Sequence, residues 1–83
     1  MRVLIADDHE AVRKGVCAIL SSRKDLEVCG EAENGRDAIE KARELQPDVI
    51  ILDITMPVLS GFEAARDIRK TMSVPILILS MHE

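Results

Sequence analysis

The 83-residue sequence has very few aromatic side chains: one phenylalanine, no tryptophan and no tyrosine. Proteins that hold single-stranded nucleic acid stack the bases on aromatic rings, and proteins that hold duplexes contact the phosphates through clustered Lys and Arg. Here 15 acidic residues outnumber 11 basic ones, giving a net charge of −4. We therefore do not expect the chain itself to bind nucleic acid.

Long apolar runs and cysteine motifs are also missing. No stretch of about 18 apolar residues is present that could span a bilayer. No cationic leader with a cleavage site is visible either. Cys17 and Cys29 have neither the C-x-x-C spacing nor the His/Cys spacing of a metal site. These absences lead us to expect a cytoplasmic protein, no membrane partner and two buried, reduced thiols.

The apolar pattern predicts alternating strands and helices in one small α/β domain. Hydrophobic residues make up 47% of the chain and charged residues 31%, a mixture typical of soluble globular domains. Short apolar runs predict strands, and apolar residues at helical spacing predict helices. The strands fall at residues 2–6, 26–30, 49–53 and 74–80, and the helices at 9–22, between Asn34 and Pro47, and after Ser60.

The predicted helices have recognisable apolar stripes and caps. In the first helix, we place Arg13 and Lys14 on the face toward water. Asn34 is expected to cap the second helix, and Ser60 and Glu63 fit the S-x-x-E capping box of the third. The predicted core-facing stripes comprise Val12, Val16, Ile19 and Leu20 in the first helix, Ala38, Ile39, Ala42 and Leu45 in the second, and Phe62, Ala65, Ile68 and Met72 in the third.

Polar residues follow three of the four predicted strands. Strands that alternate with helices form parallel sheets, which bind ligands at the carboxyl ends of the strands. Those ends carry Asp7-Asp8, Asp53 and Ser80. Taken singly, Asp8 could cap a helix, Asp53 could form a turn, and Ser80 could be a loop hydroxyl.

Together, the three aspartates predict a charged site. If the first and third strands are neighbours, their carboxylates converge, and two charges about 4 Å apart repel by about 4 kcal/mol at an effective dielectric constant near 20. Protonation of one carboxylate or a bound cation could offset this repulsion. Oxygen ligands suit Mg²⁺, and a metal that bridges to phosphate would make Asp53 a plausible nucleophile in phosphoryl transfer.

These motifs resemble the receiver domain of two-component response regulators. The resemblance rests on Asp7-Asp8 after the first strand, on D-I-T-M-P at 53–57 followed by L-S-G-F-E at 59–63, and on a strand ending at Ser80. The opening V-L-I-A-D-D-H-E is most similar to the NarL/FixJ subfamily. The resemblance implies a flavodoxin-like, doubly wound parallel sheet with strand order 2-1-3-4, incomplete as (βα)3β.

The resemblance also implies roles for individual residues. Asp53 would be the phosphoacceptor, and Ser80 would be the switch hydroxyl that bonds the phosphoryl group. The implied Mg²⁺ ligands are Asp8, Asp53 and the backbone carbonyl of Thr55, with Asp7 in support. A sensor histidine kinase would be the partner, and DNA would be contacted only through a separate output domain. We interpret His9, which has no role in this scheme, as a helix-start residue.

Residues 1–83 are expected to form a receiver domain that lacks the fourth helix, the fifth strand and the fifth helix. The lysine that the family places at the end of strand five has no counterpart, which predicts impaired switching.

Right-handed crossovers put helix one on one face of the sheet and helices two and three on the other. Strands three and four would be uncovered beside helix one, so we expect a homo-oligomer or a dimer that exchanges elements.

Two other functions remain open on the sequence alone. A non-catalytic dimerisation or interaction module would keep the fold without the switch, and the missing lysine favours it. A haloacid-dehalogenase-like phosphatase also places an aspartate nucleophile after a parallel strand. Phosphatases of that kind resemble one another in a D-x-D-x-T motif, however, and this chain has Thr55 at the position of the second aspartate. We therefore expect phosphoryl acceptance and self-dephosphorylation rather than an enzyme acting on a separate substrate.

Overall fold

The computed structural model describes residues 1–54, 56 and 58–79, and within them strands and helices alternate as the sequence predicts. The predicted order β-α-β-α-β-α-β is confirmed, although β2 lies one to two residues further along the chain than expected. The elements are β1 (Arg2–Ala6), α1 (Glu10–Ser21), β2 (Glu27–Ala32), α2 (Gly35–Leu45), β3 (Val49–Asp53), α3 (Gly61–Arg69) and β4 (Ile76–Leu79).

The four strands form one parallel sheet in the order β2-β1-β3-β4, which confirms the predicted fold class and strand order. The central strands are β1 and β3, with Leu4 opposite Ile50. Between β1 and β2 the register shifts after Val3, so Cys29 has no partner on β1, as in a β-bulge. Cys17 and Cys29 are free and half-buried, and burial raises the pKa of both thiols.

The main core lies on the face of the sheet that α2 and α3 cover. Residues of β1 and β3 that point to this face pack against small side chains of the two helices. The predicted inner stripe of α2 is confirmed, with Leu45 half-buried at its end. The fully buried members of the core are Leu4, Ala6, Ala32, Ala38, Ala42, Ile50, Leu52, Ala64 and Ile68.

Helix α1 packs over β1 and β2 on the opposite face, where it covers Val3 and Ile5. Two predictions for this helix are wrong. Ile19 is exposed instead of inward-facing, and Arg13 is buried instead of facing water. Because α1 lies over two strands only, the side of its apolar stripe that carries Ile19 has no strand beneath it.

The face beside α1 becomes more exposed from β1 to β4. Ile5, Ile51 and Leu77 are paired in register across three strands and therefore share this face. Ile5 is 1% exposed, Ile51 is half-buried, and Leu77 is 57% exposed. The prediction that alternate residues of the last strand meet water is confirmed for Leu77, whereas Leu79 is half-buried.

The starts of α2 and α3 are capped as expected. The Asn34 side chain accepts a hydrogen bond from the Asp37 backbone N–H at 2.8 Å. At α3, Ser60 and Glu63 form the complete capping box, with bonds of 3.1 and 3.3 Å. Caps of this kind satisfy backbone donors that a helix start leaves without intrahelical partners.

The predicted inner stripe of α3 is partly wrong. Gly61, Ala64 and Ile68 are buried, whereas Phe62 is exposed. The backbone N–H of Gly61 donates to the carbonyl of Ile54 at 2.9 Å, which turns Gly61 toward the sheet. Because successive helical residues are about 100° apart, this places Phe62 outside the buried stripe.

No helix in the described ranges is both long enough and apolar enough to cross a bilayer.

Candidate functional site

The pairing of β1 with β3 brings three aspartates to one edge of the sheet. Ala6 lies opposite Leu52, so Asp7 and Asp8 after β1 lie beside Asp53 at the end of β3. One ligand atom from each aspartate and one from His9 lie within 4.8 Å of one another. The acidic residues that the sequence analysis grouped by topology are therefore grouped in space.

Two of the three carboxylates are buried. Asp7 is 1% exposed and Asp53 is 3% exposed, whereas Asp8 reaches solvent. Oδ1 of Asp7 accepts a 2.8 Å hydrogen bond from the His9 backbone N–H. Oδ2 of Asp7 is buried and has no hydrogen-bond partner among the described residues. A buried carboxylate oxygen that lacks a donor is costly, and the neighbouring negative charges increase that cost.

His9 begins α1 and turns its ring toward the carboxylates. It is the N-cap residue, as expected for a helix-start position, and Asp8 does not occupy that position. Its side chain makes no capping hydrogen bond. Its Nδ1 lies 3.1 Å from Oδ1 of both Asp7 and Asp8. The hydrogen bond with Asp7, followed by the charge of Asp8, raises the pKa of His9 above its ordinary value of 6.5.

Arg13 holds the backbone of the site in place, and the sequence analysis missed this role. Its Nη1 donates to the main-chain carbonyl of Asp7 at 2.7 Å, and its Nε donates to Glu31 on β2 at 2.9 Å. The Arg13–Glu31 hydrogen bond raises the pKa of Arg13 and lowers that of Glu31. Helical spacing could have indicated that Arg13 is buried, because Arg13 precedes Val16 and Cys17 by three and four residues and these residues lie on the inward side of α1.

The main chain of Asp53 is fixed by the start of α3. A Cβ atom added to Gly61 would overlap the carbonyl oxygen of Asp53, so α3 begins in direct contact with the strand end. The next residue, Ile54, donates from its N–H to the carbonyl of Leu79 on β4 at 3.2 Å. In the following loop, Val58 has φ 72°, an unfavourable value for a β-branched residue.

Two predicted site residues lie outside the described part of the chain. These are Thr55, whose carbonyl is the expected third cation ligand, and Ser80, the expected switch hydroxyl. Their roles stay predictions.

The donor set fits a divalent cation. Oxygen donors dominate, two of the carboxylates are buried, and the Oδ2 atom of Asp7 has no donor among the described residues. Mg²⁺ is usually held by one or two carboxylates together with water and phosphate oxygens. The residues at this edge of the sheet can thus neutralise a cation and place a buried carboxylate beside it.

A parallel sheet in this order, with an acidic site at the carboxyl ends of its central strands, defines the class of flavodoxin-like α/β domains. Within that class, the family described as the response regulator receiver domain matches residues 3–83. The chain belongs to this family.

Curated relatives match nearly the whole chain. The response regulator protein VraR of Staphylococcus saprophyticus is 41% identical over 83 residues, which are 99% of this chain and 40% of the relative. A protein-glutamate methylesterase/protein-glutamine glutaminase of Methanosarcina acetivorans is 44% identical over 80 residues, which are 96% of this chain and 23% of the relative. The chain therefore spans less than half the length of these relatives, one of which is named as an enzyme.

Solved structures confirm the fold. The response regulator domain of Thermotoga maritima CheB superposes with a TM-score of 0.94 at 42% identity, covering 96% of this chain and 60% of that chain. The receiver domain of the response regulator NarL from Mycobacterium tuberculosis gives a TM-score of 0.93 at 36% identity, covering 99% of this chain and 67% of that chain. The predicted likeness to the NarL group and to two-component signalling proteins is confirmed.

Proposed function

We propose that Asp53 accepts a phosphoryl group from a sensor histidine kinase and that residues 1–83 form the first part of a receiver domain. The observation that carries the proposal is the buried Asp53 carboxylate at the end of a central strand, with ligand atoms of Asp7 and Asp8 within 4.8 Å. Phosphoryl transfer requires mainly positioning and charge neutralisation, and this edge of the sheet is suited to supply both.

The proposed reaction uses one carboxylate oxygen of Asp53 as the nucleophile. That oxygen forms a bond to phosphorus while the bond between phosphorus and the imidazole nitrogen of the kinase breaks, and the imidazole then takes a proton from solvent. Water later attacks the acyl phosphate, which releases inorganic phosphate and restores the carboxylate. This self-dephosphorylation is the only hydrolysis that we assign to the chain.

The cation in this proposal is Mg²⁺, which is typical of the family. Asp8, Asp53 and the carbonyl of Thr55 would hold it, and Asp7 would support them. When bound, it neutralises charge on the carboxylates and on the phosphoryl oxygens. The Ser80 hydroxyl would then donate a hydrogen bond to the phosphoryl group on Asp53.

Phosphorylation of Asp53 can be tested with a small phosphodonor. The chain is incubated with acetyl phosphate and Mg²⁺, and its intact mass is measured. We expect one added phosphoryl group in the wild type and none in Asp53→Asn, while Asp67→Asn on α3 keeps the label. An equal label on Asp53→Asn would contradict the proposal. Mg²⁺ binding without any label on the wild type would also contradict it and would favour a non-catalytic interaction module.

The proposed partners follow from the same assignment. The kinase supplies the phosphoryl group in the cytoplasm, and any DNA contact is made by a separate output domain. For the 83-residue chain we also propose association with a second copy, by docking or by exchange of elements. The partial exposure of the sheet face at Ile51 and Leu77 supports this association.

A further inference from the structure

His9 occupies an N-cap position without acting as a side-chain cap. Its backbone is extended at φ −94° and ψ 105°, and its ring makes no bond to the first turn of α1. N-cap positions favour Ser, Thr, Asp and Asn, whose oxygens accept from backbone N–H groups. Capping therefore does not explain a histidine here, and the ring points to the carboxylates instead.

The ring nitrogen has the spacing of a neighbouring ligand around one ion. Its Nδ1 lies 3.1 Å from Asp8 Oδ1 and 3.8 Å from Asp53 Oδ2. It also lies 3.1 Å from Asp7 Oδ1, with which it forms a hydrogen bond. Donors held about 2.0 to 2.2 Å from a metal are about 3 Å apart when adjacent and about 4.2 Å apart when opposed. The distances from Nδ1 to Asp8 and to Asp53 lie between these two values.

A second observation at the same place indicates a ligand. Asp7 is almost completely buried, and its Oδ2 atom has no hydrogen-bond partner within the described ranges. Buried carboxylate oxygens are normally paired with a donor or a cation. Asp7 and His9 belong to the same group of four residues, with Asp8 and Asp53.

We propose that His9 supplies a nitrogen ligand, through Nδ1, to a divalent transition-metal ion held with Asp8 and Asp53. This inference rests on the cation site of the proposed function and adds a metal preference to it. Imidazole is a good ligand for Co²⁺, Ni²⁺ and Zn²⁺, whereas Mg²⁺ is bound by oxygen. The site should therefore bind these transition metals more tightly than Mg²⁺, and His9 should account for part of the difference.

Cobalt is the probe for the test because it reports its ligands spectroscopically. Co²⁺ and Mg²⁺ are titrated separately into the full chain, and the proton NMR spectrum of the Co²⁺ form is examined for a strongly shifted, exchangeable imidazole N–H signal. We expect that signal in the wild type and its loss in His9→Gln. Co²⁺ affinity should fall by about tenfold in His9→Gln, while Mg²⁺ affinity changes by less than about twofold.

The matched control uses the second histidine of the chain. His82→Gln should keep both the shifted signal and the wild-type Co²⁺ affinity. A signal that disappears in His82→Gln, or an unchanged Co²⁺ affinity in His9→Gln, would overturn the assignment of His9 while leaving Mg²⁺ binding and Asp53 phosphorylation intact. Failure of both ions to bind would overturn the cation site itself and the proposed function with it.

Discussion

Asp7 is the residue at which burial and charge conflict most strongly. Its side chain is enclosed, one of its oxygens lacks a donor within the described part of the chain, and two other carboxylates lie beside it. Without a cation, these groups repel one another in a partly desolvated place. Functional sites commonly reduce the stability of the fold in this way.

Asp7→Asn should therefore stabilise the metal-free protein. In the presence of a chelator, we expect the free energy of unfolding to rise by about 1 to 2 kcal/mol, because one buried charge is removed from beside two other carboxylates. We also expect Mg²⁺ to stabilise the wild type and to stabilise this variant less. Urea denaturation with and without Mg²⁺ measures both effects.

The control for this substitution is Glu44→Gln, which removes one negative charge from an exposed position on α2. It should stay within about 0.5 kcal/mol of the wild type. A loss of stability in metal-free Asp7→Asn would show that hydrogen bonds satisfy the Asp7 carboxylate in the fold and that its charge does not destabilise the protein.

The Arg13–Glu31 pair predicts a pH dependence of stability. The hydrogen bond from Arg13 lowers the pKa of Glu31 from its ordinary 4.5, so the unfolded chain binds a proton at this position more readily than the folded chain. The ionised pair therefore stabilises the fold above about pH 4.5, and this contribution is lost as the pH falls through the lowered pKa of the folded state.

Glu31→Gln should be less stable than the wild type at pH 7 and should lose less stability on acidification. Urea denaturation at about pH 7, 5, 4 and 3 gives the two profiles, whose difference should shrink toward low pH. Glu27→Gln, at an exposed position on the same strand, should retain the wild-type profile. Parallel profiles for Glu31→Gln and the wild type would count against the pairing.

At the scale of elements, the start of α3 is the junction that fixes Asp53. We expect Gly61→Ala to destabilise the protein by more than about 2 kcal/mol, because the new methyl group would overlap the Asp53 carbonyl and push the helix from the strand. The rate of Asp53 labelling by acetyl phosphate should fall as well. Thermal unfolding and the labelling time course provide the two measurements.

Gly15→Ala is the matched control, because Gly15 lies inside α1 and a Cβ atom there would meet no atom within 4 Å. This substitution should stabilise the protein by about 0.5 to 1 kcal/mol, since alanine favours helix more than glycine does. Equal effects of the two substitutions would mean that helix propensity, and not the contact with Asp53, determines the outcome.

The elements show which parts of the fold were accessible from sequence. Local signals gave α2 with its cap at Asn34, the capping box at Ser60, and the order of all seven elements. The inward faces of α1 and α3 were harder to predict, because periodicity defines a stripe only to within about one residue. Which residues of the stripe are buried depends on contacts with distant segments. Examples are the hydrogen bond from Arg13 to Glu31 and the hydrogen bond from the Gly61 N–H to the Ile54 carbonyl.

The candidate site was predictable to the extent that topology determined it. Strand order 2-1-3-4 makes β1 and β3 neighbours, and this alone brings Asp7, Asp8 and Asp53 together. The ring of His9 and the guanidinium of Arg13 could not be placed in the same way, because their positions depend on side-chain rotamers and burial.

At the scale of the whole molecule, the sheet face beside α1 becomes more exposed toward β4, and this predicts that the 83-residue chain associates with a second copy. Sedimentation equilibrium at micromolar concentration should show a species larger than a monomer. Leu77→Lys should shift the population toward monomer. Leu77 is the most exposed of the three residues Ile5, Ile51 and Leu77 that share this face, and a charge there opposes burial of the face. Phe62→Lys, on α3 at the opposite face, should leave the association unchanged. A folded, non-associating wild-type monomer would refute this proposal.

The central pairing of β1 with β3 also has a consequence for the folding pathway. It joins segments from opposite halves of the chain, so the loop between them must close before the sheet is complete. The same step draws the three carboxylates together, and their repulsion opposes it. A divalent cation that neutralises them should therefore increase the refolding rate in a chevron plot, so the acidic cluster would also affect how quickly the sheet is assembled.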